Sequence, residues 1–184
     1  MGDDSRRTTT METMGQAGHA ATGGGLWTGT EADEIYVCMR CAGRFGAPCQ
    51  PSRCPTCGAT GAARDFPTHE TSRIALQNDH FRVTLGMDAG IKGRFVLTPG
   101  VQALMEEHGA EILLKVAGFA AFTADNDPWG ARDFGMITVG KPGAYHRLYW
   151  KVDLFDLDYQ YGSEAPSDTS QTRRVLTLLL PSEY

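Results

Sequence analysis

The chain has 184 residues, 41% of them apolar and 21% charged, enough for one ordinary domain with a small satellite and a real core. Its net charge is −5, of which residues 70–184 carry −4, and so acidic a major part argues against wrapping duplex phosphate, which needs clustered Lys and Arg. The N-terminal stretch has no apolar run of the signal-peptide kind, and the longest apolar stretch, Ile112 to Phe122, is broken by Lys115 and too short to span a bilayer, so a cytoplasmic protein without a membrane partner is expected.

Residues 1–30 are rich in Gly, Thr, Ser and Ala and cannot bury enough surface to offset their ordering entropy, which predicts disorder. Met11 and Met14 are candidate alternative starts, and Leu26 and Trp27 are the strongest candidates for packing.

Residues 31–66 form the next unit. Cys38-Met-Arg-Cys41 and Cys54-Pro-Thr-Cys57-Gly58 are two Cys-x-x-Cys pairs twelve residues apart, and each pair can wrap one side of a tetrahedral ion. A reducing cytosol disfavours disulfides, so cysteines this dense point to metal rather than cross-links. Two redox-active pairs are the weaker alternative. Four thiolates leave no open coordination position, which makes the site structural rather than water-activating. The spacing resembles both zinc ribbons and rubredoxin; Zn²⁺ is the expected ion, and iron fits the same cage. Gly58 can take φ > 0 and turn backbone N–H groups toward the sulfurs. Cys49, between the pairs, reads as a spare thiol, or else as an alternate ligand or redox-sensitive group. A module this small needs its metal to fold. Arg40, Arg44, Arg53 and Arg64 are balanced by Glu31, Asp33, Glu34 and Asp65, a weak basic patch for any nucleic acid contact.

Residues 71–184 carry the larger domain. Ile74, Leu76, Phe81 and Val83 predict a helix over 72–83 capped by Ser72. Gly93 to Leu97 reads as a strand, and Thr98-Pro99 opens a helix to Met105, with a second predicted from Ala110 to Phe119. The turn Asp125-Asn-Asp-Pro-Trp-Gly130 precedes two β-rich runs, Phe134 to Val139 and His146 to Phe155, joined as a hairpin through Lys141-Pro142-Gly143. After a polar loop, Val175, Leu176, Leu179 and Leu180 are spaced for a helix over 172–180, with a strand as the alternative. This order predicts an α+β fold: a small antiparallel sheet with helices packed on one face, behind an N-terminal zinc-ribbon-like module.

The runs Gly93-Arg-Phe-Val-Leu-Thr-Pro-Gly-Val, Phe122-Thr-Ala-Asp-Asn-Asp-Pro-Trp-Gly with Asp133-Phe-Gly, Trp150-Lys-Val-Asp, Gly162-Ser-Glu-Ala-Pro-Ser-Asp and Arg174-Val-Leu-Thr-Leu-Leu-Leu-Pro-Ser-Glu-Tyr closely resemble an uncharacterised bacterial family, the domain of unknown function three-seven-six-eight, over residues 71–184. The resemblance implies a small bacterial protein of the kind carried on plasmids and other mobile elements. It implies no catalytic residue.

Two acidic groups are candidate binding residues: Asp125, Asp127 and Asp133 around the turn, and Asp153, Asp156 and Asp158, with Glu164 and Asp168, after the hairpin. Their convergence would suit Mg²⁺ or Ca²⁺, although short acidic side chains serve turns and caps equally well. Trp129 and Trp150 are the aromatic candidates within a run that also holds Phe134, Tyr145, Tyr149, Phe155, Tyr159 and Tyr161, an exposed part of which would suit a protein partner. No nucleophile elbow, zincin or phosphate-loop motif is present, and the best acid–base candidates are His80 beside Asp79 and His146 near Asp153. The leading expectation is a non-enzymatic accessory protein that binds a macromolecule, by analogy one of host defence. A metal-dependent hydrolase or nuclease using Asp127, Asp133, Asp153 and Asp156, and a zinc-ribbon nucleic-acid-binding regulator, remain as alternatives.

Overall fold

The computed structural model describes residues 33–184, so the predicted disorder of 1–30 and the packing of Leu26 and Trp27 fall outside the described residues. Two antiparallel strands, β1 (Glu34–Val37) and β2 (Arg44–Ala47), open the fold, followed by a 3₁₀ turn at Ala63–Asp65. Then come α1 (His69–Val83), β3 (Gly93–Leu97), α2 (Pro99–Ala117), β4 (Phe134–Lys141), β5 (Ala144–Phe155) and β6 (Arg173–Leu179), with a closing 3₁₀ turn at Pro181–Glu183. The class is α+β, as predicted. No helix among the described residues is long and apolar enough to cross a membrane.

The four-stranded sheet runs in the order β3-β6-β5-β4 and is mixed: β6 is antiparallel to β5 but parallel to β3, with Gly93 opposite Arg174. Here the predicted terminal helix is corrected to a strand. Leu176 and Leu178 alternate inward with Val175 and Thr177 outward, and an inner position between two strands satisfies both sides of the β6 backbone, which a helix there would not.

The helix after Pro99 is also corrected, from two segments to one. Val101, His108, Ile112 and Val116 form a continuous buried stripe along α2, and packing that stripe outweighs the cost of about 1 kcal/mol that Gly109 imposes within a helix. The α1 helix starts at His69 rather than near Ser72, because the Thr68 side chain accepts the Thr71 N–H at 3.0 Å and is the cap.

One sheet face holds Ile137, Val139, Leu148, Trp150, Val152, Leu176 and Leu178, which pack with Phe81 of α1 and with Val101, Ile112 and Val116 of α2. Trp150 sits wholly buried in this core, edge-on to Phe119 at 5.2 Å and to Phe122 at 6.2 Å. Its indole lies over Gly135, where a Cβ would come within 2.5 Å of Nε1, so position 135 admits no side chain. The opposite face carries the Phe134, Tyr149 and Tyr184 rings, with centroids 5.4–6.1 Å apart.

The cysteine unit is seated on this domain rather than tethered to it. The Val37 N–H donates to the Pro67 carbonyl at 2.9 Å, Tyr36 bridges Thr68 at the α1 cap, and Arg64 Nη2 donates to the Phe122 carbonyl at 3.1 Å.

Candidate metal centre

The cage is built from two backbone knuckles of the same design. In the first, the Ala42 N–H donates to the Cys38 carbonyl (2.8 Å) and the Cys38 N–H to the Gly43 carbonyl (2.9 Å). In the second, the Gly58 N–H donates to the Cys54 carbonyl (3.0 Å) and the Cys54 N–H to the Ala59 carbonyl (2.8 Å). The offsets are identical, and so is the φ > 0 residue that closes each turn: Gly58 at 71° and Ala42 at 57°. Gly58 is the residue its type predicts. Ala42 carries no such signal, because an L-residue with a Cβ rarely takes this conformation unless the surroundings hold it there.

The knuckles bring Cys38, Cys41, Cys54 and Cys57 together, with all four Sγ atoms within 4.8 Å of one another. Cys38 lies 3.8 Å from Cys57, and Cys41 lies 3.8 Å from Cys54, nearly twice a disulfide length. A tetrahedral ion with metal–sulfur bonds of about 2.3 Å has sulfurs about 3.8 Å apart, the separation found across those two pairs. Cys38 and Cys54 are buried beneath Tyr36, Phe45 and Phe66, whereas Cys41 and Cys57 face outward. Cys49 is exposed and outside the cage.

Thiol protonation in the cage is uneven. Burial pushes the Cys54 thiol up, but the backbone N–H groups of Cys57 and Thr56, with the neighbouring thiols, outweigh it and hold Cys54 at about 6. At Cys41 the Gly43 N–H acts downward, yet the Cys57 thiol, burial and the other cage thiols together carry it up to about 12. Four negative sulfurs this close repel one another, and a cation among them would offset that repulsion.

The acidic candidates do not assemble a second centre. Among the described residues, the four cysteines form the one group of three or more His, Cys, Asp or Glu side chains close enough to hold an ion. Asp127 is buried and accepts the Arg132 N–H at 3.0 Å, a turn function. Asp156 accepts the Gln160 N–H at 2.9 Å, Asp153 pairs with Lys151 at 2.8 Å, and Asp125 and Asp158 are exposed. Asp133 keeps an exposed surface, but its carboxyl has lost enough hydration to be raised above its ordinary value, with repulsion from Asp127 and Asp153 adding to the rise. This is proximity without convergence on an ion.

Trp129 is 65% exposed and open to a partner, whereas Trp150 is completely buried and presents no binding surface. The histidine pairings also differ from expectation. His80 meets Asp88 at 3.2 Å rather than Asp79, and His146 stacks beside His108, centroids 5.4 Å apart, rather than near Asp153. Asp79 instead joins Arg82 at 2.9 Å and Arg132, a cluster at the end of α2 that the sequence reading missed.

Residues 97–183 match a family described as "Protein of unknown function (DUF3768)", which bears out the resemblance over that stretch and leaves α1 upstream of the match. No curated protein and no solved structure matches the chain.

Proposed function

We propose that this chain, which couples a DUF3768 stretch to a four-cysteine cage, is a non-enzymatic accessory protein in which a structural Zn²⁺ holds a surface for binding another macromolecule. The observation that supports the reading is the cage itself: four sulfurs within 4.8 Å of one another, two of their separations 3.8 Å, would fill every position of a tetrahedral ion and leave none for water or substrate. The absence of a second convergent ligand set among the described residues gives the hydrolase reading no support.

A binding role draws on the seam between the two units. A cleft of about 190 Å³ runs there, lined by Val37, Met39, Pro67, Ala75 and Leu76. Leu76 is 67% exposed and Met39 49% exposed, apolar surface of the kind that a protein partner covers. The resemblance directs the search toward host proteins. Native mass spectrometry of the purified chain is expected to show one Zn²⁺ per molecule, absent after Cys38→Ser with Cys54→Ser. Iron in its place would redirect the reading to electron transfer, and a metal-free native protein would remove it.

A further inference from the structure

Strand β4 is an edge of the four-stranded sheet, and an unguarded edge invites another strand. Residues of an antiparallel edge strand alternate between pointing their N–H and C=O at the partner and pointing them away. In β4 the even-numbered residues point away, and two of their groups are taken by α2. The Thr138 carbonyl accepts from Lys115 Nζ at 2.6 Å, and the Gly140 N–H donates to Glu111 Oε2 at 3.1 Å. Glu111 and Lys115 are themselves joined at 2.7 Å, one helical turn apart. The pair thus lies across one half of the β4 edge, while Met136, in the same phase as Thr138 and 47% exposed, makes no bond to any group beyond the sheet.

The strand is self-complementary about Ile137. Antiparallel pairing of two β4 strands centred there sets Met136 opposite Thr138, Phe134 opposite Gly140, and Asp133 opposite Lys141 at both ends. The outward N–H and C=O groups then meet in register, an aromatic covers an edge glycine, and opposite charges close each end. Such a contact has two-fold symmetry and closes after two copies. The geometry points to a latched self-association edge: the Glu111–Lys115 pair holds β4 shut, and its release lets β4 pair with the β4 of a second copy of this chain. The latch side chains are 38% and 46% exposed, so solvent and salt weaken the pair and leave it open to displacement. Lys115, and then the Gly140 N–H, hold the Glu111 carboxyl below its usual range, consistent with a latch that is charged when closed.

The test is sedimentation velocity on the full chain over a range of concentrations. The unaltered protein is expected to sediment as a monomer, and Glu111→Ala with Lys115→Ala at twice that mass. Adding Lys141→Glu sets like charges at both ends and should return the monomer; adding Asp133→Lys to that variant should restore the dimer. A double variant that stays monomeric with unaltered circular dichroism overturns the proposal, as does a dimer indifferent to Lys141→Glu. Should the double variant lose its fold, amide exchange in the unaltered protein decides: slower exchange at Gly140 than at Met136 supports the latch, and equal rates refute it.

Discussion

Arg82 shows how one side chain can tie a helix end to a core. It is 3% exposed, yet its Nη1 donates to the Val116 and Ala117 carbonyls at 2.5 and 2.8 Å, at the end of α2, where the Val116 carbonyl also accepts the Phe119 N–H at 3.3 Å. Its guanidinium lies 5.2 Å from the Trp150 ring, and Asp79 balances its charge at 2.9 Å. Arg82→Met removes buried donors from the Val116 and Ala117 carbonyls and one of the two guanidinium partners of Asp79, so urea unfolding should show a loss of about 3 kcal/mol. Arg132→Met, at a side chain 33% exposed, should cost under about 1 kcal/mol although Arg132 also meets Asp79. None of this was legible beforehand. An Arg at position 82 looks like ordinary helix-surface charge, and only the approach of α2, from 34 residues along the chain, turns it inward. The cysteines were legible because their chemistry is fixed by type and spacing, whereas Trp150 was misplaced on a binding face because strand alternation alone does not say which face meets the helices.

Elements were readable where a local signal fixed them. Pro99 marked the start of α2, and Pro142-Gly143 the hairpin, where Gly143 takes φ 91°. Elements defined by distant partners were not: β6 owes its extended form to β3 and β5, and α2 owes its unbroken length to the sheet beneath it. The N-terminus of α2 is completed from the far end of the domain, where the Glu183 carboxylate accepts the Gly100 N–H at 2.9 Å and the Thr98 hydroxyl at 2.6 Å. The family match, 97–183, runs from one side of this clasp to the other. The loop between β5 and β6 has its own organiser. Hydrogen bonds from the Ser170 side chain, the Gln171 side chain and the Ser170 backbone hold Asp168 down at about 2. Because this folded value lies below the ordinary 3.8, the loop's share of stability is fully present above about pH 4 and is lost as pH falls through about 2. An NMR titration should place the Asp168 midpoint near 2, and Asp168→Asn should remove that part of the acid-induced loosening. A midpoint near 3.8 would show that the loop bonds do not persist in solution.

At the scale of the molecule, the two units differ in what holds them. The cysteine unit has a core of Tyr36, Cys38, Phe45, Cys54 and Phe66 and a two-stranded sheet, too little to stand alone, so on the proposed reading metal coordination supplies most of its folding energy. The sheet domain rests on its own larger core. A strong chelator should therefore unfold residues 34–66 first: amide protection is expected to vanish at Val37 and Cys38 while Leu148, Trp150 and Leu176 stay protected. Loss of protection in both units together would mean that the contacts through Pro67 and Arg64 make them one cooperative unit.

Strand β6 lies between β3 and β5, although the ribosome delivers it after both. The cysteine unit is complete in the nascent chain once Phe66 is free of the exit tunnel, so metal can load early, but β3 and β5 have no common neighbour until residues 173–179 emerge. The larger domain therefore stays unclosed until β6 follows β5 out of the tunnel. A message truncated before residue 173 yields the cysteine unit and a β4–β5 hairpin with no strand to join it to β3, a product marked for proteolysis by its own topology.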